Sequence, residues 1–110
     1  MREDAFGSGL IDLLVLGVVA SGPTYGYAIR QHIAAAGIDS VREATVYASL
    51  KRLDERRLLR SRSVVADNGK ARRYYELTDD GRDAYARELA AWEKLRASVD
   101  SVLGNGGDQG

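Results

Sequence analysis

Glu43–Leu59 reads EATVYASLKRLDERRLL, and its two faces decide the fold. Val46, Leu50 and Leu53 follow one another at spacings of four and three, the stripe of a helix buried on one side. At about 100° per residue, Ala44, Thr45, Tyr47, Ala48, Lys51 and Arg52 then fall on its outer half. That half combines small side chains, hydroxyls and cations. Small residues let a backbone approach another surface, hydroxyls bond to phosphates or base edges, and cations neutralise phosphates. Ser40 and Glu43 have capping-box spacing ahead of this helix, with Arg42 or Glu43 as alternative starts.

Upstream, LIDLLVLGVVA from Leu10 to Ala20 is apolar nearly all round, apart from Asp12. A helix with no face for water belongs in the middle of a fold. Ser21-Gly22-Pro23 stops it, because proline lacks an amide hydrogen and restricts the residue before it. Thr24 is placed to cap a second helix, YGYAIRQHIAAA, with Ile29 and Ile33 one turn apart and Gly37 at its end.

Downstream, LLRSRSVV and KARRYYEL flank Ala66-Asp67-Asn68-Gly69. Arg60 and Arg62 alternate with Ser61 and Ser63, the second segment is rich in tyrosine, and both read as strands. Asn-Gly between them is a hairpin signal, since both residues accept positive φ. The expectation is a two-stranded ribbon with Lys70 and Arg72 near its tip. Three helices followed by a basic hairpin is the order of a winged helix-turn-helix domain, so the fold class is α+β, mostly α.

From Thr78, a capping residue, the chain turns helical again, with Asp79, Asp80 and Asp83 complementing the positive end of the helix dipole. Helix-dipole complementation accounts for these carboxylates without a metal. Tyr85, Leu89, Trp92, Arg96, Val99 and Leu103 run at alternating spacings of four and three, with Leu95 and Val102 beside them. About 25 residues of helix reach ~38 Å, longer than so small a domain covers, so this seam is expected to hold a second copy of the chain. The organisation read from the sequence is therefore a flexible N-terminus (1–9), a winged helix-turn-helix domain (10–77), a C-terminal dimerisation helix (78–103) and a disordered tail (104–110).

The chain has 110 residues, 45% hydrophobic and 29% charged, which fits one globular domain. With no cysteine and a lone histidine, His32, there is no material for a disulfide, a thiolate zinc site or a His-based relay. Neither a triad nor a phosphate-binding glycine loop supports an enzyme, and no cofactor or metal is expected. Leu13–Ala20 is too short to span a bilayer, and the start MREDAFGSG does not lead into a signal-peptide core, so the expected location is cytoplasmic. Net charge is zero, but residues 42–73 hold ten basic and four acidic side chains. This middle third is where a polyanion would bind.

In this order and spacing, LLVLGVVASGPTYGYAI (Leu13–Ile29), EATVYASLKRLDERRLL, ARRYYELTDDGR (Ala71–Arg82) and ELAAWEKL (Glu88–Leu95) resemble the PadR family of bacterial transcriptional regulators, in its short form with a single C-terminal helix. The resemblance implies a homodimeric winged-helix repressor that binds an inverted-repeat operator in double-stranded DNA and often releases it when a small molecule binds. It places Thr45 and Tyr47 on the recognition helix, Lys51 and Arg52 on its basic continuation, and Lys70, Arg72 and Arg73 in the wing and its following strand. Trp92 falls where a multidrug-sensing member lines a pocket at the dimer centre. At Arg57 this sequence departs from the family, which commonly has the glycine that ends the recognition helix.

Arg42 joins these as a candidate DNA-binding cation. Tyr47 is expected either at the DNA backbone or packed on the neighbouring helix. Tyr25 is a candidate phosphate contact and Tyr27 a packing residue, because the second helix of such a motif crosses the backbone. Of Tyr74 and Tyr75, at least one belongs in the core. Trp92 is an interface residue and the candidate contact for a small aromatic or hydrophobic effector, which its flat ring can stack upon. His32 reads as a surface or packing residue. The rival reading is a winged helix whose basic face meets an acidic protein instead of DNA.

Overall fold

The computed structural model describes residues 7–104. Its elements run α1 (Gly7–Ala20), β1 (Thr24–Tyr25), α2 (Gly26–Ala35), α3 (Glu43–Glu55), β2 (Leu59–Val65), β3 (Ala71–Leu77) and α4 (Asp79–Val102). As its composition requires, α1 lies at the centre and packs against α2, α3, α4 and β3. It begins at Gly7, inside the segment read as a flexible N-terminus. Residues 1–6 and 105–110, and with them most of both expected flexible ends, lie outside the described residues.

The core joins Val15, Leu16 and Val19 of α1 to Ile29 and Ile33 of α2, and to Val46, Leu50 and Leu53 of α3. Leu58, Leu59, Leu77 and Ala84 close it from the wing and α4. The stripe read in Glu43–Leu59 is thus the buried face of α3, and Ser49 is buried beside it.

One helix start differs from its expected cap, and another is settled among the alternatives. Thr24 does not cap α2 but forms β1 with Tyr25, pairing with Tyr75 and Tyr74, respectively. The hairpin therefore gains a third strand, in the order β1-β3-β2. α3 begins at Glu43, one of the starts read from the sequence, with Arg42 as its N-cap and no side-chain cap bond, so of the alternatives the Ser40–Glu43 capping box is the one that does not form.

The wing pairs Ser61 with Tyr75, Arg62 with Tyr74 and Ser63 with Arg73, so the expected alternation of Arg and Ser holds. Its turn uses the four residues read between the strands, and of Asn68 and Gly69, which both accept positive φ, only the glycine takes it. The Gly69 amide donates to Ala66 O at 2.9 Å and the Ala66 amide to Lys70 O at 2.8 Å. Gly69 has φ 83°, whereas among the described residues Arg57 is the only non-glycine with positive φ. This is a four-residue turn closed by a glycine bulge, and Asn68 contributes its carboxamide oxygen, which accepts the Lys70 amide at 3.0 Å.

Both α2 and α3 end the same way. In α2 the amides of Gly37 and Ile38 donate to the Ala34 and Ile33 carbonyls, with Gly37 at φ 106°. In α3 the amides of Arg57 and Leu58 donate to Asp54 O and Leu53 O at 2.9 Å each. This paired closure requires a left-handed residue at its hinge, and Arg57 supplies it at φ 62°. The helix end commonly made with glycine is therefore kept, with an arginine in the strained position.

Candidate nucleic-acid interface

The outer face of α3 is useful to a ligand only if the helix is held from behind. Arg30 of α2 does part of this, its Nε donating to Val41 O at 3.1 Å just ahead of α3. The rest comes from the one carboxylate of α1. Asp12 accepts the Ser49 hydroxyl at 2.6 Å and the Arg52 Nη2 at 2.7 Å on the same oxygen. Its side chain is 13% exposed and that of Arg52 is 39% exposed. Arg52, expected on the outer face, is thus turned onto α1, because it lies at the edge of that face within reach of an otherwise uncompensated carboxylate. Neither Asp12 nor Ser49 was expected at the site. A single acid in an apolar helix was the signal available for Asp12, since such a charge needs a partner.

Arg42, Ala44, Tyr47, Ala48 and Lys51 are exposed on α3, and Thr45 is half-buried. Lys51 Nζ lies 2.8 Å from Glu55 one turn on. That hydrogen bond raises the Lys51 pKa and holds the ammonium charged while neutralising it locally. Tyr47 meets both expectations: its ring lies against Gly26 at the start of α2, where any Cβ would collide with it, and it remains 47% exposed.

The wing stands beside α3. On it, Arg60 is paired with Glu76 at 2.8 Å, a bond that lowers the Glu76 pKa. Arg62, Lys70, Arg72 and Arg73 are exposed and, among the described residues, form no salt bridge. The free positive charge of the site accordingly lies on the wing more than on α3. Tyr25, read near the start of the second helix, lies in β1, and Tyr27, read as a packing residue, is on the surface of α2. Tyr25 is half-buried in the sheet under Arg72, and Tyr27 is exposed, because β1 pairing turns Tyr25 towards Tyr74. Tyr75 packs against the core, where loss of water raises its pKa.

The candidate dimerisation residues divide into two groups. Tyr85, Leu89 and Trp92 line an apolar groove of about 510 Å³ with Leu10, Leu14 and Val18 of α1 and Ile33 of α2. Tyr85 packs on its own domain's core, its ring against Gly17, so the start of the seam is intramolecular contact. Leu95, Arg96, Val99, Val102 and Leu103 are exposed further along α4, Val102 at 84% and Leu103 at 66%. Asp12 projects from α1 on the side away from Leu10, Leu14 and Val18, so α1 separates the groove from α3. Thr78 caps α4 as expected, accepting the Gly81 amide at 3.0 Å while donating to Arg57 O at 2.7 Å.

With this geometry in hand, comparison with known proteins is specific. The Transcriptional regulator PadR-like family matches residues 15–87. Transcriptional regulator Rv3488 of Mycobacterium tuberculosis is 34% identical over 110 residues, covering 96% of this chain and 99% of that protein. Among solved structures, smu.1704 from Streptococcus mutans has a TM-score of 0.81 at 30% identity, covering 91% of this chain and 92% of its own. A PadR family transcription regulator from Clostridium difficile has a TM-score of 0.76 at 27% identity, covering 86% of this chain and 98% of its own. The chain belongs to the PadR-like family of transcriptional regulators, DNA-binding proteins and not enzymes.

Proposed function

We propose that the protein is a homodimeric repressor acting in the cytoplasm on an inverted-repeat operator. One observation carries the proposal: α3 presents small and hydroxyl side chains beside a wing whose Arg62, Lys70, Arg72 and Arg73 form no salt bridge among the described residues, while α4 leaves an apolar stripe uncovered. Two copies joined through α4 cover that stripe. The same pairing sets two α3 helices at the separation of successive major grooves. Thr45, Tyr47, Ala44 and Ala48 then face base edges and the adjoining backbone, and Arg42, Lys51, Lys70, Arg72 and Arg73 meet phosphates. Arg52 acts through Asp12 instead, setting the pose of α3.

The groove beside Trp92 is the proposed effector site. Its volume of about 510 Å³ and apolar lining suit a small aromatic or hydrophobic molecule. Such a molecule regulates by preferring one spacing of the two α3 helices over another, and its effect is bounded by that difference in affinity.

Selection of genomic fragments by the purified protein, followed by sequencing, tests the operator. The expected result is an enriched inverted repeat with half-sites about one helical turn apart. Enrichment of no sequence above background overturns the operator reading. Trp92, the sole tryptophan, reports on the groove: aromatic compounds that release the enriched fragment are expected to change its fluorescence.

A further inference from the structure

Arg72 does not extend freely from the wing. Its guanidinium carbon lies 4.4 Å from the centre of the Tyr25 ring, and that ring packs on Tyr74 at 5.2 Å and 60°. The strand register builds this stack. Tyr25 pairs with Tyr74, and Arg72 lies two residues along β3 on the same face. On the opposite face, Arg73 donates through Nη1 to Ser61 Oγ at 2.9 Å. Both arginines line one open groove of about 310 Å³ with Tyr25, Gly26, Tyr27 and Tyr47, between the start of α2, the middle of α3 and β3.

Their partners matter chemically. Lys51, Arg52 and Arg60 are neutralised by carboxylates. Arg72 and Arg73 are oriented by a ring and a hydroxyl, which leave the positive charge intact. A guanidinium stacked by its face keeps its edge N–H groups available, and those groups match two oxygens of a phosphate.

We infer that this groove is a preformed seat for one phosphate of the DNA backbone, and that Tyr25 is the positioning residue that holds Arg72 for it. The inference rests on the DNA-binding reading and assigns Tyr25 an indirect role, through its ring and not its hydroxyl. A long side chain that is already ordered loses less freedom on binding. An exposed stack of this kind corresponds to about a two- to five-fold gain in affinity.

The test is a set of anisotropy titrations of the full chain against a labelled mixed-sequence duplex, between about 50 and about 200 mM salt, where phosphate contacts dominate. Tyr25→Phe is expected to bind as the wild type does, because the ring remains. Tyr25→Leu is expected to lose about two- to five-fold with an unchanged salt slope. Arg72→Ala is expected to lower the slope by about one, and adding Tyr25→Leu to it to cost nothing further.

Arg72→Lys, on an exposed side chain that leaves the sheet intact, gives a parallel reading if Tyr25→Leu folds poorly by circular dichroism. It keeps the charge without the planar stack and is expected to match the loss predicted for Tyr25→Leu. Equal losses in Tyr25→Phe and Tyr25→Leu would overturn the inference by giving the hydroxyl the direct contact. So would wild-type binding by Arg72→Lys, or a Tyr25→Leu loss that persists in the Arg72→Ala background. A wild-type protein that binds no duplex overturns the DNA-binding reading and this inference together, whereas normal wild-type binding with any of those mutant results overturns this inference alone.

Discussion

Arg57 shows how one side chain can sit against its own backbone preference. Its φ of 62° is demanded by the end of α3, where the amides of Arg57 and Leu58 close on the Asp54 and Leu53 carbonyls. A left-handed non-glycine residue costs about 1–2 kcal/mol, and part of that saving is offset by the greater freedom glycine has when unfolded. Arg57→Gly is therefore expected to stabilise the fold by about 0.5–1 kcal/mol, read as a Tm higher by a few degrees at matched protein concentration. An unchanged or lower Tm would mean that the arginine is not strained. Asp12 makes the opposite case, since its removal strands Arg52 and Ser49 together. Breaking a fully buried pair costs about 3–5 kcal/mol, but Arg52 is 39% exposed and regains water, so Asp12→Ala is expected to cost about 2 kcal/mol. Asp12→Asn keeps an oxygen for the Ser49 hydroxyl and should lose less; urea melts of the pair check the order. These residues differ in how visible they were. The departure at Arg57 could be seen against the family pattern, whereas the partner of Asp12 stands 37 to 40 positions away.

At the scale of elements, the contact between α2 and α3 couples stability to recognition through Gly26. A Cβ there would overlap the Tyr47 ring, which is exposed enough to swing away. Gly26→Ala is accordingly expected to change stability by no more than about 1 kcal/mol, with relief of helix entropy offsetting displacement of the ring. DNA affinity is expected to fall several-fold on the same preparation, because Tyr47 leaves its place on the outer face. Unaltered DNA binding in a folded Gly26→Ala protein would remove Tyr47 from the interface. The junction of α3 and α4 has a similar economy. Gly81 admits no side chain because Leu58 O lies where a Cβ would go, and Thr78 ties α4 to the strained end of α3. The helices were legible from stripes, and α4 also from its Thr78 cap, all of which involve residues within one or two turns. The two-residue β1 was not, since Thr24 looks like a cap until Tyr75 is brought beside it.

For the whole molecule, the proposed pairing rests on how far α4 extends and how much apolar surface it leaves exposed. The chain measures 59 × 28 × 24 Å, and α4, with 24 residues, spans ~36 Å of helix. Burying one exposed Val or Leu contributes about 1.5–3 kcal/mol, so carboxylates at Val102 and Leu103 in both subunits are expected to remove at least ~6 kcal/mol from association. Light scattering of Val102→Asp/Leu103→Asp should then report a folded monomer at concentrations where the wild type is a dimer. A wild type that is itself monomeric would refute pairing through α4. Binding should also depend steeply on salt. With ~6 to 10 phosphates neutralised by a dimer, affinity is expected to fall by ~1,000-fold or more between 50 and 200 mM salt. A shallow dependence would mean that the wing cations do not meet phosphates.

By itself the sequence determined the buried stripe of α3, the central place of α1, the hairpin, the Thr78 cap and the basic middle third. Each of these rests on periodicity, turn chemistry or charge within a short stretch of chain, where geometry follows from spacing. Only the tertiary structure decided that Arg52 turns inward to Asp12, that Tyr25 lies under Arg72 while Tyr27 is exposed, and that Tyr85 packs on its own domain. The physical reason is that a side chain at the edge of a helix face, or in a short strand, has two neighbours of comparable reach. Its direction is settled by a charge or ring delivered from a distant part of the chain, and no local pattern records that delivery.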